Sequence, residues 1–222
     1  MSTLEPFQRA RKPEQKEERR LHLLDTARAA LQGGLDVSEL GLNELARRAA
    51  MTKSNVYRYF ENREELLLAL LEEESERWAD ALCARLAATQ DRSPEHVAKI
   101  FAGIAAASPL MCRLLSILPS IIEHNVSRER LTQFKRNAWA MTVAVIGELR
   151  RGAPAMPLEA CAAFMRQLLP LLIGLWPLSQ PREALAEVLL LPEMQPFRYD
   201  FEADFAAGLT LLLRGLAPAQ AA

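Results

Sequence analysis

Aromatic residues make up only 6% of this 222-residue chain, and glycine (nine), cysteine (three) and histidine (three) are also sparse. Each shortage closes off a class of protein. Runs of β-branched residues are absent while Leu and Ala dominate, which argues for an all-α fold. Cys83, Cys112 and Cys161 are odd in number and widely spaced. They read as reduced core residues of a cytoplasmic protein, not as a disulfide framework. His22, His96 and His124 lie far apart, and the sequence has no HExxH, P-loop, GxGxxG, GxSxG or CxxC pattern. An enzyme, a metal site and a cofactor are therefore not expected. Residues 1–20 are polar and carry no signal-peptide pattern. The most apolar run, Leu168–Leu178, reads as too short for a membrane span and contains Pro170 and Pro177, so no membrane partner is expected.

What is present is a local excess of positive charge. The formal net charge is −1, yet Arg47, Arg48, Lys53 and Arg58 fall between Leu45 and Phe60 with no acid among them. Around them the apolar spacing is helical. Leu42, Leu45, Ala46 and Ala49 recur at i, i+3, i+4 and i+7, so the first helix has one apolar face. Thr52 suits the N-cap of a second helix, with its hydroxyl accepting a free backbone N–H. Val56 and Phe60 are four apart and point into the same core. Asn62 caps a further helix, with Glu65 placed to complete a capping box. Polar Lys53, Ser54 and Asn55 open the second helix, and Tyr57 and Tyr59 stand near its end. Such a helix suits the DNA major groove, its first residues reaching base edges while tyrosine hydroxyls, Arg and Lys hold phosphates.

The run ELARRAAMTKSNVYRYFENREEL resembles the N-terminal DNA-binding domain of the tetracycline-repressor (TetR) family of bacterial regulators. Leu45-Ala46, Met51-Thr52-Lys53, Tyr57-Arg58-Tyr59-Phe60 and Asn62-Arg63-Glu64-Glu65-Leu66 carry the likeness. It implies a helix-turn-helix in which Lys53, Ser54 and Asn55 face bases. Thr52, Tyr57, Arg58, Tyr59 and Arg63 hold phosphates, and Asn43 and Arg47 assist from the preceding helix. Two positions depart from the family pattern. Ala50 stands in the turn where Gly is usual, and Gly41 stands where Thr or Ser usually opens the first of the two helices. The link from Gly34 to Gly41 is also a couple of residues longer than the family pattern.

The chain divides on this reading into a flexible basic arm (1–14), a helix-turn-helix domain (15–65) and a larger helical ligand-binding and dimerisation domain (66–222). Leu21, Leu24, Ala27 and Leu31 give the first helix its stripe, ended by Gly33-Gly34. One long helix over 63–89 is shared by both domains. Further helices are expected at about 94–106, 109–118, 127–151, 157–176, 181–190 and 202–216, punctuated by prolines. Pro170 should kink its helix, and 217–222 should fray.

Within the second region Phe101, Met111, Arg113, Leu118, His124, Trp139, Phe164 and Met165 are candidates for a ligand site. Large flexible apolar side chains with few polar anchors suit an adaptable pocket. From Ser93 to Leu178 nine bases face five acids, favouring an anionic or neutral effector over a cationic one. Phe164, Leu168, Leu172, Phe205, Leu209 and Leu212 are candidates for self-association, and Gly208 would let two helices approach closely. The resemblance implies a two-fold homodimer, a palindromic double-stranded DNA operator, and a small-molecule effector that releases a repressor. Two other readings fit the same residues: an activator of the same fold, and a helical ligand-binding or scaffolding protein whose DNA-binding fold no longer functions.

Overall fold

A computed structural model of the chain describes residues 13–152 and 156–216. All regular structure among these residues is helical. The helices are α1 (Pro13–Gln32), α2 (Leu42–Arg48), α3 (Lys53–Val56), α4 (Arg63–Ala88), α5 (Pro94–Ala106), α6 (Pro109–Ile117), α7 (Arg128–Gly152), α8 (Leu158–Leu178), α9 (Glu183–Val188) and α10 (Phe201–Leu216), with 3-10 turns at Val37–Glu39, Ile122–Asn125 and Pro192–Phe197. The chain forms two compact units that divide between Leu70 and Leu71. Most of the basic arm, including Arg9, Arg11 and Lys12, and the tail 217–222 lie outside the described residues.

In the first unit α1 packs on α2 and α2 on α3. The buried side of α1 is Leu23, Leu24, Ala27 and Leu31, whereas Leu21, expected in that stripe, is exposed. Leu42, Leu45, Ala46 and Ala49 of the α2 segment, then Val56 and Phe60, then Leu66, Leu67 and Leu70, complete the core. The long link before α2 is not slack. Asp36 and Glu39 form a capping box around the 3-10 turn, and Val37 and Leu40 are buried beneath it. A further tie comes from Arg63, whose Nη1 donates to the Ser38 carbonyl at 3.2 Å. The start of α4 is capped by the Asn62 Oδ1, which accepts the Glu65 N–H at 2.8 Å, while the Glu65 carboxylate accepts the Glu61 N–H at 2.6 Å.

In the second unit α8 and α5 pack on α10, and α6 and α7 pack on α8. Proline placement shapes this unit: α5 and α6 each begin at a proline and meet at 86°. An aromatic edge pair, Phe101 on α5 with Phe164 on α8, lies at its centre at 5.2 Å between rings. Trp176 near the end of α8 meets Phe201 at the start of α10 at 4.8 Å, and Gly208 faces Leu171. Later residues of α10 thus meet earlier residues of α8, so the two helices run antiparallel. The one buried charged residue among those described is Glu72, which accepts hydrogen bonds from both Nη atoms of Arg130 and from the Asn137 Nδ2. This ties the second-unit part of α4 to α7.

One expectation needs correction here. Taken whole, α8 has 21 residues and is long and apolar enough to cross a membrane by length and composition, with 28% of its most apolar window buried. The helix lies where the sequence places it, at about 157–176 with Pro170 inside; only the run Leu168–Leu178, and not the whole helix, is too short for a span.

Candidate nucleic-acid interface

Helix α2 ends in a left-handed cap. The Met51 N–H bonds to the Ala46 carbonyl at 2.9 Å and the Ala50 N–H to the Arg47 carbonyl at 3.4 Å, a Schellman arrangement that requires positive φ at Ala50. Ala50 supplies it, at φ 52°, despite its Cβ. The chain then turns into α3 through Thr52, which has the extended backbone of an N-cap (φ −73°, ψ 148°). Its hydroxyl does not cap the helix as expected. It lies 3.2 Å from the Ser54 hydroxyl instead.

Only Lys53–Val56 are α-helical; the expected helix reaching Tyr59 is too long. Beyond Val56 the bonds tighten to the i−3 pattern, with the Arg58 N–H on the Asn55 carbonyl and the Tyr59 N–H on the Val56 carbonyl. Tyr57 and Tyr59 thus stand on a turn, not on a helix end. Val56 and Phe60 are both buried and fix the two ends of this segment, leaving Thr52, Lys53, Ser54, Tyr57 and Arg58 exposed and Asn55 and Tyr59 half-buried. Tyr57 is 53% exposed, unusual for a large ring with no structural partner to cover.

The charge of this surface is lower than its own residues imply. Glu44, one turn earlier on α2, chelates Arg47 through Nε (2.8 Å) and Nη2 (2.6 Å) and also takes the Arg48 Nε at 2.6 Å. These hydrogen bonds hold the Glu44 carboxyl down at about 2, so it stays ionised at any working pH. One carboxylate thereby offsets one of the four positive charges. Lys53 and Arg58 have no acidic partner among the described residues. Asn43 is exposed on α2. Arg63 is half-buried, bound to the Ser38 carbonyl and 3.3 Å from Glu64, so its guanidinium serves the fold.

Residues 72–220 match the family profile described as "Tetracyclin repressor-like, C-terminal domain", and residues 23–70 match "Bacterial regulatory proteins, tetR family". This chain belongs to the TetR family. Solved structures share its fold. The fatty acid degradation regulator FadR from Bacillus halodurans is 15% identical, with 93% of this chain and 98% of that one covered and a TM-score of 0.57. A TetR/AcrR-family regulator from Thermobifida fusca is 18% identical over 89% and 98%, with a TM-score of 0.56. FadR from Bacillus subtilis, solved with stearoyl-CoA, is 14% identical over 88% and 98%, with a TM-score of 0.52. No curated protein matches. The chain thus has the fold of a TetR-family DNA-binding transcriptional regulator.

The TetR-family second unit distributes the remaining candidates unevenly. Phe101, Met111, Leu118 and Phe164 are buried, and Arg113 and Met165 are half-buried. His124 is exposed on a 3-10 turn, and no metal-binding cluster exists among the described residues. Trp139, another candidate for the ligand site, is 63% exposed. It lines an open groove of about 620 Å³ on α7 with Arg128, Leu131, Lys135 and Arg136. Phe164, Leu168, Leu172, Phe205 and Leu209, expected to face a second subunit, are buried in the chain's own core, and Leu212 is half-buried. The apolar residues that α8 and α10 present outward are Leu158, Leu169, Leu178 and Leu211. Helical periodicity finds both faces of such helices apolar and cannot tell which is covered.

Proposed function

We propose that this TetR-family chain is a dimeric, non-enzymatic repressor of the cytoplasm. It holds a palindromic operator through α2 and α3 and lets go when a small apolar effector binds its second unit. The observation that carries this reading is the acid-free edge of exposed Thr52, Lys53 and Ser54 and half-buried Asn55, followed by exposed Tyr57 and Arg58 and fixed by buried Val56 and Phe60. Among the described residues no hydrogen bond or ion pair uses these polar side chains apart from the Thr52–Ser54 contact. Lys53, Ser54 and Asn55 would read base edges, while Thr52, Tyr57, Arg58 and Tyr59 hold phosphates. Asn43 and Arg47 would add backbone contacts from α2, and Arg63 would contribute by holding the 3-10 turn in place.

A dimer follows from specificity. One four-residue helix reads few bases, whereas two held by a two-fold axis read two half-sites. The outward apolar residues of α8 and α10 suit that contact, and they account for the exposed face of α8 without a membrane. The stearoyl-CoA complex of the Bacillus subtilis regulator supports a small-molecule effector. Here the effector would part the side chains around the Phe101–Phe164 pair, favouring a conformation with lower operator affinity.

The test is selection of bound sequences from a random double-stranded DNA pool at near-physiological salt. Enrichment of a palindrome is expected. Tyr57→Phe should then weaken operator and unrelated DNA alike, and Lys53→Ala should shift the preferred bases. No enrichment from folded, dimeric protein would refute the proposal. A reporter with the selected operator over its promoter should fall in expression; a rise would make the chain an activator.

A further inference from the structure

The segment between α8 and α10 is anomalous. Its two ends are held together where Trp176 meets Phe201, so residues 182–199 leave and return at one end of the antiparallel pair. The segment is structured, with α9, the 3-10 turn at Pro192–Phe197, and an internal tie from the Arg198 Nε to the Leu189 carbonyl. Yet none of its residues is buried. Leu185, Val188, Leu190, Leu191, Phe197 and Tyr199 are all exposed, Leu190 by 72% and Phe197 by 63%. Ordered chain with no fully buried residue is unusual, and so dense a set of exposed large apolar side chains marks an interface.

We infer that residues 182–199 form an apolar arm that docks on a second copy of this chain, extending the α8 and α10 contact. The inference rests on the dimer proposed above. Area decides between a contact with and without the arm. Leu158 and Leu169, which share one side of α8, and Leu211 on α10 together expose roughly 300 Å², well under half of the ~800 Å² per partner that a stable interface buries. The six apolar residues of the arm add roughly 600 Å², which carries the apolar surface past that threshold. The arm follows α8 directly in the chain, since Leu178 ends that helix just before the arm begins. Charge disfavours the other occupants. Arg182 and Arg198 stand against Glu183, Glu187 and Glu193, so the arm is slightly acidic and would not be drawn to DNA or to an anionic lipid surface.

The experiment compares the full chain with the Leu190→Asp/Phe197→Asp double variant by sedimentation equilibrium over a dilution series. Because neither residue is buried within the chain, the variant should keep its helix content by circular dichroism. Its dimer dissociation constant should rise roughly a hundred-fold or more, as for loss of a central apolar anchor. Hydrogen exchange gives a second readout: amides of 183–199 should be protected in the wild-type dimer and lose that protection on dilution to monomer. A folded double variant that dimerises within about three-fold of wild type, or arm amides that exchange equally in both states, would overturn the arm and point to a different protein as its partner. A wild-type chain that stays monomeric would overturn the dimer itself. Leu211→Glu tests the helical face separately, and it should weaken the dimer whether or not the arm docks.

Discussion

Replacing Ala50 with glycine should stabilise the first unit, against the usual rule that glycine weakens a helical domain. Ala50 sits at φ 52° in the left-handed cap of α2. Its Cβ crowds the following carbonyl there, which costs about 1–2 kcal/mol for an L-residue. Glycine removes that strain but adds conformational freedom to the unfolded chain, which costs about 0.4–1 kcal/mol. The methyl group is exposed, so no packing is lost. The balance is a net stabilisation of about 0.5–1 kcal/mol. The local readout is hydrogen exchange at the Ala49 and Met51 amides, which bond to the Leu45 and Ala46 carbonyls. They should exchange about two- to five-fold more slowly in Ala50→Gly if local opening controls exchange. Ala50→Val should move the other way by more than about 1 kcal/mol, since a β-branched side chain is worse still at positive φ. Faster exchange and a lower melting temperature in the glycine variant would refute the assignment of strain to this turn.

Four further predictions rest on three named contacts. Glu44→Gln should release Arg47 and Arg48 for phosphates and steepen the salt dependence of DNA binding, by about 0.9 in log–log slope for each additional phosphate that these arginines neutralise; an unchanged slope would mean that they do not reach DNA. The Glu44 carboxyl at about 2 lies below its ordinary 4.5, so its pairing stabilises α2 fully above the ordinary value and is lost as pH falls from 4.5 toward 2; α2 amide exchange followed down that window should show the loss in wild type and not in Glu44→Gln. Arg130→Met would leave the buried Glu72 carboxylate with Asn137 alone, at a cost of about 3 kcal/mol by urea unfolding, while Asn137→Ala should cost about 1 kcal/mol. At Gly208 an added Cβ would meet the Leu171 Cδ2 at 2.9 Å, the far end of a flexible side chain, so Gly208→Ala should be nearly neutral and Gly208→Leu should lower the melting temperature by overpacking α8 against α10.

Proline positions, capping residues and apolar periodicity determined the number, order and approximate ends of the helices. These signals are local, acting within one turn of the chain, and so they are legible without a fold. The helix-turn-helix was legible for the same reason, its turn, caps and basic side chains lying within about twenty consecutive residues. Tertiary structure decided what depends on partners distant in sequence or on the choice of face. It buried Phe164, Leu168, Phe205 and Leu209 within the chain and turned Leu169 and Leu211 outward, a choice that periodicity leaves open when a helix is apolar all round. It exposed Trp139, matched Glu72 with Arg130 across 58 residues, and assigned Arg63 to the Ser38 carbonyl. It also set Glu44, just outside the acid-free window, onto both arginines, because side chains three and four residues apart share a helix face. Composition could count those charges, but only the folded helix decided which of them remain available.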